Sequence, residues 1–159
     1  MTKNRKNTLV LVLSILVCMI SFLIINLLNF DIPENGNRSG NGNLALAGYP
    51  FAIASAISIL IFGSLLCIKL LRRLSRVWSI VSLLIFITIQ VLLYEGFVNH
   101  FYEKIDYLGG GPKELSSFII DMGWVNTYTN DMYFNVYSFF TVLVLPIIIS
   151  SLIRLIKKA

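Results

Sequence analysis

The chain has 159 residues, of which 57% are apolar and only 13% charged, whereas soluble domains carry about 25% charged residues. Its mean hydropathy of +0.80 belongs to an integral membrane protein. These values exclude a nucleic-acid-binding domain, a disordered chain, a disulfide-rich secreted scaffold and a large soluble enzyme.

Crossing a hydrocarbon core of about 30 Å takes roughly 20 apolar residues of helix. Four stretches meet that length: residues 8–30, 46–71, 77–99 and 132–156. They are continuous rather than alternating, which argues against barrel strands. The expected fold is all-α, an integral membrane four-helix transmembrane bundle forming one domain over 1–159. Residues 100–131 are expected to supply an outer loop and a short amphipathic outer helix.

The first span follows Lys3, Arg5 and Lys6. A cleaved signal peptide is the competing reading, with Ala45-Leu46-Ala47 as its small-residue site. The apolar run is longer than a signal-peptide core of about 7–15 residues, and those alanines lie well beyond it, so a retained span is expected. The tract Glu34–Asn43 is rich in Asn and Gly, and is expected to be mobile because it has nothing to bury. It contains a formal glycosylation sequon, Asn37-Arg38-Ser39.

Span one offers Ser14, Cys18 and Ser21 on one face; span two offers Ala52, Ala56, Ile59, Gly63 and Cys67. Mostly small residues at this spacing let backbones approach closely. The two spans are expected to form an antiparallel hairpin, with homo-oligomer formation as the competing use. Cys18 and Cys67 are the only cysteines and both lie within spans, so they read as packing residues rather than a disulfide. Pro146 is expected to kink span four, with Ser150 helping to satisfy the disturbed backbone.

Charge sets the expected orientation. Lys3, Arg5, Lys6, Lys69, Arg72, Arg73, Arg76, Arg154, Lys157 and Lys158 gather at one end of the spans, and all eight acids at the other. The basic end reads as cytoplasmic, with both termini inside, and suits anionic lipid headgroups. Tyr49, Tyr94, Tyr102, Tyr107, Tyr128, Tyr133 and Tyr137 all fall toward the outer end, as a headgroup belt would. The short loops and the Ile, Leu, Asn and Lys content suggest a bacterial cell membrane.

In the outer segment, Gly109-Gly110-Gly111 breaks the chain and Pro112 suits the first position of a helix. Leu115, Phe118, Ile119 and Met122 repeat at helical spacing, and Gly123 suits a stop. Pro112–Met122 is therefore expected to be a short helix on the membrane surface, with Asp121 on its polar side and Trp124 beyond its end.

Polar groups near hydrocarbon are costly and count as candidate sites. Glu95 is the one acid placed within a span, and Asn99 and Glu103 stack above it if the helix continues. His100 lies beside them. Three uses compete: a carboxylate at headgroup level bonded to Asn26, Asn29 or Tyr94; a coupling carboxylate of a transporter; and a metal or hydrolytic site built from Glu95, His100, Glu103 and Asp106. One histidine is too few for the usual zinc site, and no nucleophile elbow or phosphate loop is present. No cofactor is expected and no enzyme activity.

The expected function is partner recognition by the outer segment, as in an accessory subunit, an immunity-type factor or a sensor. Its candidate residues are Glu95, Asn99, His100, Glu103, Phe118, Asp121 and Trp124. The expected partners are the lipid bilayer and a membrane or extracellular protein, not nucleic acid. The alternative is a small oligomeric transporter or channel subunit using Glu95.

Overall fold

A computed structural model describes residues 3–32 and 42–156; the side chains of Lys3, Phe118 and Asp121 fall outside that description. The sequon, most of the Asn/Gly tract, Lys157 and Lys158 also lie outside the described residues. The protein is all-helical, with no strand among the described residues. Its helices are α1 (Lys3–Leu27), α2 (Tyr49–Leu71), α3 (Arg76–Tyr107), α4 (Phe118–Met122), α5 (Asn130–Tyr133) and α6 (Val136–Ile156), with a 3-10 turn at Leu44–Ala47.

Four helical segments are long and apolar enough to span a membrane: α1, the turn with α2, α3, and α5 with α6. In lipid the backbone must satisfy its own hydrogen bonds, so a run of apolar residues resolves as helix. The outer surfaces of these helices are greasy: Leu9, Leu13, Leu16, Ile20, Leu23, Ile57, Ile61, Leu84 and Leu92 are all exposed. The four-helix bundle is an open row in the order α1, α2, α6, α3. Helices α1 and α3 end the row and do not pack as neighbours.

The α1–α2 hairpin uses the expected small face of α1, with Ser14, Cys18 and Ser21 all buried. On α2 the register is shared between two neighbours. The Ser58 hydroxyl meets that of Ser14 at 2.6 Å, and Ala52, Ser55 and Ile59 are buried. Gly63 instead receives the Pro146 ring of α6, which would lie 3.0 Å from an added Cβ. Ala56 and Cys67 are only half-buried. Ser150 Oγ donates to the Pro146 carbonyl at 2.6 Å and to that of Ser64 at 3.0 Å. It therefore ties α6 to α2, and the carbonyl it serves within α6 is that of the proline itself, not the one a turn earlier.

Between α3 and α6 the one polar bridge within the apolar layer runs from Gln90 Nε2 to Thr141 Oγ1, at 3.1 Å, among the described residues. Gln90 Oε1 is buried with no partner. Interhelical bonds in lipid average only about 0.6 kcal/mol, and the unmet oxygen offsets part of that. Gln90→Leu is therefore expected to change stability by less than about 1 kcal/mol, read as unfolding by SDS titration in mixed micelles.

Helix α3 runs beyond the expected residue 99 to Tyr107. It stops where Gly110 N–H bonds the Ile105 carbonyl and Gly109 N–H that of Asp106, a Schellman motif with Gly109 and Gly110 at φ +82° and +100°. Helix α6 starts at Val136 rather than near 132, because Asn135 caps it. Ser138 N–H donates to Asn135 Oδ1 and Asn135 N–H to Ser138 Oγ, both at 3.0 Å, a reciprocal capping box.

The expected helix over Pro112–Met122 is corrected to α4, Phe118–Met122. Residues 111–116 form turns instead, with Glu114 N–H on the Gly111 carbonyl and Ser117 N–H on that of Glu114. The cause is Ser117, whose buried hydroxyl donates to the Gly110 carbonyl and accepts from Ile119 N–H. It acts as the N-cap and starts the helix six residues late. Leu115, expected on the apolar face, is 99% exposed.

Candidate functional site: the cap at the acidic end

The helical extension of α3, the 108–135 segment and the strip after α1 fold together beyond the apolar layer at the acidic end. Leu108, Ile119, Tyr128 and Met132 form a second buried core, with Ile32, Phe101, Ile105, Met122 and Tyr133 packed on it. The strip after α1 joins through Phe30 N–H to the Thr127 carbonyl at 2.8 Å and Ile32 N–H to Tyr107 Oη at 3.1 Å.

Asp131 is the hub of this cap. Its carboxylate meets Lys104 Nζ at 3.0 Å, with the two side chains 20% and 9% exposed. Its carbonyl accepts from Asn135 Nδ2 at 3.0 Å and lies 3.1 Å from His100 Nε2. The Lys104 ammonium also sits 5.0 Å from the centre of the Tyr107 ring, within the reach of a cation–π attraction. Asp131 thus ties α3 to the start of α6.

A framework of amides lies alongside. Asn43 and Asn130 exchange amide bonds at 2.8 and 3.1 Å, and Tyr49 Oη donates to Asn130 Oδ1 at 2.9 Å. Asn26 Nδ2 donates to the carbonyls of Phe22 and Phe134. Asn126 accepts from Tyr128 N–H through its side chain, and Thr129 Oγ1 accepts from Asn126 N–H. Buried amides are stable only when paired, so each of these bonds fixes a loop position. Beneath them, Phe22, Phe134, Phe139 and Tyr49 pack ring to ring across α1, α2 and α6.

The candidate residues separate on this frame. Glu95, Asn99 and Glu103 do share one face of the extended α3, but it is the exposed face, turned away from α6. Among the described residues Glu95 makes no hydrogen bond or ion pair. The partners weighed for it are elsewhere: Asn26 bonds α6, Asn29 lies at Asp131 N–H, and Tyr94 is exposed. His100 faces the opposite way, into the cap. No group of three metal-ligating side chains occurs among the described residues. Trp124 stacks on Phe101 with centroids 6.2 Å apart and planes 13° from parallel, and it remains 40% exposed. Backbone α4 carries Phe118 and Asp121; their side chains lie outside the described residues.

Lys104 and Asp131 were missed as candidates, although the sequence carries a signal for Lys104. It follows Phe97 and Phe101 and precedes Leu108 on the α3 face opposite the acids, so it is a cation at a core position. The tyrosines also divide. Tyr94, Tyr102 and Tyr107 are exposed as a belt would be, whereas Tyr128 is buried and Tyr49, Tyr133 and Tyr137 pack within the bundle and cap. Compared with protein families, curated proteins and solved structures, the chain matches none.

Proposed function

We propose that this is a multi-pass protein of the bacterial cell membrane that recognises a partner protein through its cap and performs no catalysis. The accessory-subunit, immunity-type and sensor roles all use such a surface. The observation that carries the reading is a cap braced by a partly buried ion pair and amide network while Leu115, Ile120, Trp124 and Val125 stand exposed on it. Apolar side chains on a rigid extramembrane surface, an aromatic among them, are what a partner-binding centre requires. The charge bias supports an exterior cap with both termini cytoplasmic.

The transporter alternative draws less support. Glu95 lies on the exposed face of α3, so a coupled carboxylate there needs another molecule to enclose it. A hydrolytic role for His100 draws no support from its surroundings, since no group of metal-ligating side chains gathers around it among the described residues.

A photo-reactive phenylalanine analogue replacing Val125 tests the proposal in intact cells. The expected result is a discrete protein adduct, reduced at least tenfold by Trp124→Ala and absent when the analogue replaces Leu92 in the apolar layer. Adducts with lipid alone would overturn it.

A further inference from the structure

The basic end of the bundle gathers several donors that no group among the described residues meets. Lys69, Arg72 and Arg73 are exposed where α2 turns into α3. Arg76 Nη2 donates to the Leu155 carbonyl at 3.3 Å, and Arg154 Nη2 donates to the Leu74 carbonyl. These bonds lace the α2–α3 turn to the last turn of α6. The other terminal nitrogen of Arg154, Nη1, is buried without a partner.

One helical turn inward from those two arginines lie Ser79 on α3 and Ser151 on α6. Both are 0% exposed, and neither hydroxyl has a partner. Helix α3 also begins here, and Ser75 at its N-cap makes no side-chain cap bond. Its first-turn N–H groups and the positive end of a 32-residue helix dipole therefore point to the same region. No Asp or Glu side chain occurs between Glu34 and Glu95 or in residues 132–159.

Guanidinium forks, hydroxyls and free N–H groups together suit a phosphate. The ends of membrane-spanning helices lie at the level of lipid phosphates. We propose that this end of the bundle binds the phosphate of an anionic phospholipid headgroup. Arg72 and Arg73 reach it from the turn, and Arg154, Ser79, Ser151 and the start of α3 lie beneath. The site is independent of the cap and of which way the protein faces. It differs from diffuse attraction to a charged leaflet, because a fork of donors is specific to arginine whereas a field needs only charge.

The test uses the full chain in mild detergent, with bound lipid counted by native mass spectrometry and stability followed by thermal melting. Phosphatidylglycerol is expected to remain as a one-to-one adduct and raise Tm; phosphatidylcholine and inorganic phosphate at matched concentration are expected to do neither. Arg72→Lys with Arg73→Lys keeps the charge on exposed positions and is expected to cut lipid retention at least tenfold. Ser79→Ala with Ser151→Ala is expected to lower retention without lowering the Tm of the lipid-free protein. Lys113→Gln, at the opposite end, is expected to change nothing. Equal retention by the double lysine variant would reduce the site to a diffuse field and overturn the proposal. Equal stabilisation by inorganic phosphate, or loss of retention in Lys113→Gln, would overturn it as well.

Discussion

Lys104→Met is expected to unlatch the cap while the four spans stay assembled. The substitution leaves the Asp131 carboxylate enclosed without its cation, and one of its oxygens, Oδ1, is already buried and unpartnered. Breaking one side of a fully buried ion pair costs about 3 kcal/mol or more, most of it from the stranded charge; with Asp131 20% exposed, about 2–3 kcal/mol is expected here. That cost falls on the cap, because Asp131 also positions Asn135, the residue that caps α6. Amides of residues 108–133 are expected to exchange hydrogen roughly a hundredfold faster, with those of α1 and α2 unchanged, read by hydrogen exchange with mass spectrometry. Replacing both partners, Lys104→Met with Asp131→Leu, is expected to restore most of the protection, since two apolar groups leave no charge behind. A double variant as open as the single one would show that the pair acts through its specific geometry rather than through mutual neutralisation.

Gly96→Val is expected to separate α3 from α6. The Tyr137 ring of α6 occupies the space above Gly96, with its Cζ atom 2.9 Å from where a Cβ would stand. Overpacking at a well-filled contact costs about 1–3 kcal/mol, and this contact joins α3 to the rest of the row. A lower SDS-unfolding midpoint is the expected readout. Gly96→Val with Tyr137→Ala is expected to recover more than half of the loss, because the ring that obstructs the new side chain is gone. Such coupling is measurable as a double-mutant cycle. Additive losses would place the obstruction elsewhere.

The spans were legible because hydropathy reports where lipid must be, and lipid leaves the backbone little choice but helix. Hydropathy does not report where a helix ends. The composition change at Asn99 marked the edge of the apolar layer, whereas α3 stops at the glycines that permit its Schellman turn. Likewise α4 was placed early because Pro112 and the Leu115 spacing suggested a start, and the Ser117 hydroxyl determines it instead. The ion pair was invisible for another reason: Lys104 and Asp131 are far apart in sequence, and their pairing depends on the fold of the loop between them. The acidic column was visible because its spacing is local. Its exposure was not, because that depends on which neighbour α3 chooses.

That choice has a consequence for biosynthesis. As the chain emerges, α1 and α2 can pair at once, but α3 enters the bilayer with neither of them as a neighbour. It lacks a packed partner until α6, the latest made of the four described spans, arrives to join it to the hairpin. The closing helix therefore seats two bodies together, and the glycines at positions 63 and 96 are where it is received on either flank.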